Sequence, residues 1–143
     1  MFGATITVLV AMQAAGATAP AAERPMVVID ERTMIRREPP PHGAIGMSTA
    51  YRISDGVDGR TMEFRKRILH RGAAIGAHRI DHDEVYYVLS GAGVVTSGGE
   101  NRTLTPGMAA YLYNGATVGI RQTGTKPLSL IISYPLAKPA AAK

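Results

Sequence analysis

Turn signals recur from residue 55 onward about every eight to twelve residues, too closely for long helices to fit between them. They are Asp55-Gly56, Asp58-Gly59, Arg71-Gly72, Gly91-Ala92-Gly93, Gly98-Gly99, Pro106-Gly107, Asn114-Gly115 and Gly124. The runs between them read as short strands. Met62, Phe64 and Ile68 alternate with Glu63, Arg65 and Arg67, which predicts one apolar face and one wet face. Glu84 to Leu89 is apolar on both faces, as a central strand requires, and Leu128 to Tyr134 is similar. Gly98-Gly99 joins Val94-Val95-Thr96 to Arg102-Thr103-Leu104 as a tight hairpin. No segment of the body reads as a helix of three turns. An antiparallel all-β sandwich or jelly roll follows.

Composition agrees and excludes several alternatives. The 143 residues are 45% apolar, with 16 Gly and 9 Pro, an ordinary content for one folded domain rich in turns. Absent cysteine excludes a disulfide framework, a thiolate zinc site and a cysteine nucleophile. The net charge of +5 is spread out, and its one tight cluster, Arg65-Lys66-Arg67, reads as a solvated strand edge. With no Trp and few aromatic rings, nucleic acid is not an expected partner.

Residues 1–22 carry no charged side chain, and Ala4 to Ala15 is apolar and Ala-rich. Ala15-Gly16-Ala17 fits the small-x-small rule, so these residues are expected to form a signal peptide cut after Ala17, although the leading segment lacks Lys or Arg. The expected location is periplasmic or secreted, without a stable membrane anchor after cleavage. Residues 23–44 read as a Pro-rich arm, with Val27-Val28-Ile29 as a short edge strand and Pro39-Pro40-Pro41 stiff and extended. The compact domain is expected over 45–137, and 138–143 as a flexible tail.

The stretch Gly72 to Gly91 reads GAAIGAHRIDHDEVYYVLSG. It resembles the first motif of the cupin superfamily: Gly, five residues, His-x-His, three or four residues, Glu, six residues, Gly. Gly72 and His78 have the first spacing, and Glu84 and Gly91 the last. The second cupin motif aligns from Gly107 to Gln122, with Tyr113 in place of a Pro, Val118 in place of a His and Gln122 in place of an Asn. The resemblance spans about Ile45 to Pro135. It implies a small single-domain cupin, a double-stranded β-helix of jelly-roll type and, as is usual there, a homodimer.

The same resemblance implies a divalent metal held by three His and one Glu, and here the chain departs from it. His78 and Glu84 are present, but the second His position is Ile80 and the third is Val118. Neither has a lone pair, so two of four ligands are absent. His82 is a candidate replacement. In an extended segment His78, Ile80, His82, Glu84 and Tyr86 share one face, so His78, His82 and Glu84 would form a two-His-one-carboxylate set. If the segment turns, His82 lies in solvent instead.

The expected pocket is mostly apolar. Ile80, Tyr86, Val118 and Ile120 line it, Gln122 adds a polar group, and His78 and Glu84 anchor a small-molecule ligand. Tyr111 and Tyr113 read as barrel lining or core. His42 and His70 read as surface residues. Lys66 shares parity with Met62 and Phe64, and a cation facing inward would attract an anion; a bulge or a snorkelling stem that turns it outward is the reading adopted. Two functions stay open. One is a small-molecule binding module, or an enzyme without metal, in which His78 and Glu84 exchange a proton. The other is a metal-dependent oxygenase or sugar isomerase using His78, His82 and Glu84.

Overall fold

The computed structural model describes residues 21–143. The expected signal peptide falls almost wholly outside the described residues. Ten strands form: β1 (Ile35–Glu38), β2 (Ser48–Tyr51), β3 (Arg60–Leu69), β4 (Ala74–Arg79), β5 (Glu84–Ser90), β6 (Ala92–Ser97), β7 (Glu100–Leu104), β8 (Ala109–Leu112), β9 (Thr117–Thr123) and β10 (Leu128–Ala140). Among the described residues the helical content is two short 3-10 turns, Glu31–Thr33 and Ile53–Gly56. One sheet has six strands in the order β1-β2-β3-β10-β5-β8, and the other has four in the order β4-β9-β6-β7. Every pairing is antiparallel, as an all-β jelly roll requires. The hairpin at Gly98-Gly99 forms as expected, with Ser97 opposite Glu100 and both glycines at positive φ (56° and 84°), the conformation a two-residue turn demands.

The core lies between the sheets. Leu69, Val88, Leu128, Leu130 and Ile132 from the large sheet meet Ile75, Val95, Val118 and Ile120 from the small one. At about 25 cal/mol per Å² of buried apolar surface, these side chains supply most of the driving force for closing the sandwich.

The face of β3 is the reverse of the expected one. Met62 and Phe64 are exposed, whereas Glu63 and Arg67 are buried. The register explains this. Leu69, Arg67, Arg65 and Glu63 lie opposite Leu128, Leu130, Ile132 and Tyr134 of β10, and the three aliphatic residues of that set are core. One apolar anchor, Leu69, therefore carries Arg67, Arg65 and Glu63 inward. The Arg65-Lys66-Arg67 cluster is thus no solvated edge. Its two arginines point into the sandwich, and Lys66 points out, paired with Glu31 and lying 4.0 Å over the Tyr51 ring.

Both ends of the chain are tied in more than expected. Val27-Val28-Ile29 forms no strand, and β1 forms eight residues later by pairing with β2. The arm is therefore part of the large sheet from Ile35 on. At the other end, Ala140 pairs with Arg60, the Arg60 guanidinium donates to the Ala141 carbonyl, and Lys143 N–H donates to Asp55 O. The expected flexible tail is thus pinned. A register shift between Pro135 and Ala140 also turns Arg60 into the interior.

Candidate functional site

A cavity of about 260 Å³ opens between the sheets at the end of the barrel where β3, β4, β5 and β10 meet. The odd residues Arg65 and Arg67 of β3 form one wall. Ile75 and His78 of β4, with Ile80 just after it, form the second. Glu84 and Tyr86 of β5 and Ile132 and Tyr134 of β10 form the third. Pro41 and His42, from the loop before β2, close the rim.

Gly76 lets that loop pass. A Cβ there would sit 1.6 Å from the His42 carbonyl oxygen, so only glycine admits the crossing. Gly76 N–H also donates to Pro41 O at 3.3 Å. The crossing brings the His42 ring onto His78, stacked with centroids 3.6 Å apart. Burial pushes the His42 imidazole below its usual value, and the nearby His78 adds to the effect. His42, read from sequence as a surface residue, belongs to the cavity. His70 instead shares a hydrogen bond with Thr49 and lies away from it.

His82 follows a turn and yet faces the cavity. Its ring stacks on Tyr134 with centroids 4.3 Å apart, and its Nδ1 lies 2.8 Å from Asp81. Its Nε2 is buried and, among the described residues, has no hydrogen-bond partner; it points toward Glu84 Oε2 at 3.6 Å, within ion-pair reach but too long for a hydrogen bond. Burial pushes the Glu84 carboxyl above the usual carboxylate range, and the imidazoles of His82 and His78 pull against that rise. Burial likewise raises the phenols of Tyr86 and Tyr134. The arrangement can hold one proton between Glu84 and His82.

The residues do not fit a divalent metal. Among the described residues no three His, Asp or Glu side chains converge to hold one. Glu84 and His82 form a pair, while His78 commits its Nδ1 side to the Gly76 carbonyl and its face to His42. Ile80 and Val118 stand where the family places the remaining donors. Two donors are fewer than the three or four such ions need.

Four residues expected at the pocket, His78, Ile80, Glu84 and Tyr86, line the cavity together, and His82 lines it with them. Val118 and Ile120 are fully packed in the core behind it. Gln122 is buried but acts as a clasp. Its Oε1 accepts from Gly72 N–H, and its Nε2 donates to the carbonyls of Thr123, Gly124 and Lys126. Tyr111 and Tyr113 are exposed, and the Tyr111 hydroxyl donates to Asp83. Arg65, Arg67, Ile75, Ile132 and Tyr134 are among the cavity residues that sequence reasoning missed. The signal for the two arginines was their odd-numbered parity with Leu69, masked by the apolar look of Met62 and Phe64; Ile132 and Tyr134 share even parity with Leu128 and Leu130 on β10.

Those two arginines end a continuous chain of ion pairs. It runs Arg67–Glu38–Arg52–Asp55–Arg60–Glu63–Arg65, with contacts between 2.7 and 4.0 Å. Burial alone would raise Glu63 and Glu38, but the guanidinium hydrogen bonds and charges outweigh it and hold both carboxyls below their usual range.

Comparison with known proteins agrees with this fold. The cupin domain family matches residues 66–134. No curated protein matches the sequence. Among solved structures, a predicted oxalate decarboxylase from Thermotoga maritima superposes with TM-score 0.69 at 21% identity, covering 77% of this chain and 99% of that one. The polyketide cyclase RemF from Streptomyces resistomycificus gives 0.63 at 18%, covering 82% and 85%. An RmlC-like cupin from Shewanella frigidimarina gives 0.58 at 20%, covering 76% and 86%. At these identities the likeness is one of fold.

Proposed function

We propose that this chain, which matches the cupin domain family over residues 66–134 and has the cupin jelly roll, binds a small molecule in the cavity between Arg67 and Glu84 without a resident metal. The carrying observation is the His82–Glu84 pair: a buried, unpartnered imidazole nitrogen aimed at a carboxyl that burial pushes above the usual carboxylate range. In place of a metal, this pair supplies one proton that can be given to or taken from a ligand. Ile75, Ile80 and Ile132 supply apolar contact around it.

The test is metal content together with ligand binding. Untagged protein should carry sub-stoichiometric Fe, Mn, Zn, Ni and Cu by elemental analysis, unchanged in His82→Ala. A fragment screen by NMR should shift Ile80 and Ile132 resonances, and Ile132→Trp should abolish those shifts by filling the cavity. Stoichiometric metal lost in His82→Ala would instead establish the metal-dependent reading with His78, His82 and Glu84 as ligands. Fragments that leave the cavity resonances unmoved would remove the binding reading.

The same proposal includes export and self-association. Export rests on residues 1–22, and mass spectrometry of a periplasmic fraction should show an N-terminus near Thr18. Self-association rests on the exposed outer face of the large sheet, where Met62, Phe64, Tyr87 and Leu89 lie in solvent. Sedimentation should give a homodimer that Phe64→Glu splits.

A further inference from the structure

The ion-pair chain behind the cavity has an odd number of members. Its signs alternate, and it begins and ends with arginine, so four guanidiniums face three carboxylates. One positive charge is left over. Both ends of the chain border the cavity, so the two arginines that face only one carboxylate each are presented there.

Each terminal arginine also keeps a donor free. Arg65 gives Nε and Nη2 to Glu63, at 2.9 and 2.7 Å, and its Nη1 has no partner among the described residues. Arg67 gives Nη1 to Ser48 and Nη2 to Glu38, at 2.7 and 3.1 Å, and its Nε has none among the described residues. The two side chains leave β3 two residues apart on one face, the spacing that lets neighbouring guanidiniums reach the same oxygen pair. Side-chain exposure is 27% for Arg65 and 5% for Arg67, so an anion between them would be held largely out of water, where charge-assisted bonds are strongest.

Resting on the small-molecule reading above, we propose that the ligand is a small organic monocarboxylate, seated between Arg65 and Arg67 with its apolar body against Ile75, Ile80 and Ile132. A single negative charge matches the single surplus cation, and a dianionic phosphate exceeds it. Glu84 reinforces the limit. Protonated, it donates to one bound carboxylate; ionised beside a dianion, it repels.

The experiment is calorimetric titration at fixed ionic strength with acetate, propanoate, butanoate and 2-oxobutanoate, set against butanamide and inorganic phosphate. At least one monocarboxylate should bind about tenfold or more tightly than butanamide and phosphate, as loss of a charge-assisted pair predicts. Arg65→Gln should remove that preference, and Arg65→Lys should restore part of it. If Arg65→Gln does not fold, the Nε–H resonances of Arg65 and Arg67 in the unaltered protein should move on titration with the carboxylate and stay still with butanamide. The proposal is overturned if none of the four carboxylates binds, if butanamide binds as well, or if phosphate binds better. Butanamide binding as tight as that of the carboxylates, and blocked by Ile132→Trp, would overturn this inference alone and leave the small-molecule reading intact.

Discussion

β3 and β9 both send alternate side chains between the sheets, and they build opposite things there. From β9 come Val118 and Ile120, which pack into a closed core, followed by Gln122, which spends all its hydrogen bonds on turns. From β3 come Glu63, Arg65 and Arg67, which do not pack against a facing aliphatic layer and so leave a cavity. The difference shows how this barrel divides its interior. Apolar residues on one strand hold it shut, and charged residues on the other hold it open, provided that each charge has a neighbour of opposite sign.

That division can be broken from either side. Glu63→Gln removes the carboxylate shared by Arg60 and Arg65 and leaves buried guanidiniums without it; a loss of about 3–5 kcal/mol is expected in the denaturant midpoint analysis. Ile120→Ala opens a void in the core and should cost about 2–4 kcal/mol by the same measurement, with cavity binding retained. Gln122→Leu frees four backbone groups at two turns and should cost about 1–3 kcal/mol. Lys66→Ala, on the outer face of the same β3, should change stability by less than about 1 kcal/mol and leave ligand binding unchanged.

A pH titration of stability sharpens the same contrast. Glu63 and Glu38 ionise more readily in the fold than in the unfolded chain, so their contribution is complete above the ordinary carboxylate range and is lost as pH falls through their lowered folded values. Glu84 has the opposite sign. Its raised folded value means that stability declines as pH climbs from the ordinary carboxylate range through that raised value. Thermal melts across pH should therefore show an acid-side rise followed by a decline, and Glu84→Gln should remove the decline only.

Much of the fold was legible residue by residue. The Gly98-Gly99 hairpin follows from local backbone freedom, and β5 and β10 follow from apolar runs bounded by turns. The cluster His78, Ile80, Glu84 and Tyr86 was legible because two consecutive strands and the short connection between them present it. Reading failed where a partner far along the chain sets the outcome. His42 reaches His78 across a loop that depends on Gly76, and Tyr134 reaches His82 from the last strand.

The turn rhythm alone determined an antiparallel jelly roll, and the paired motifs its likeness to cupins, since both are local patterns that any register preserves. The inward face of β3 was decided only by tertiary structure. A strand has two faces, and binary patterning favoured Met62 and Phe64 for the inside. Pairing of Leu69 with Leu128, and of Glu38, Asp55 and Glu63 with Arg52 and the three β3 arginines Arg60, Arg65 and Arg67, selected the other face.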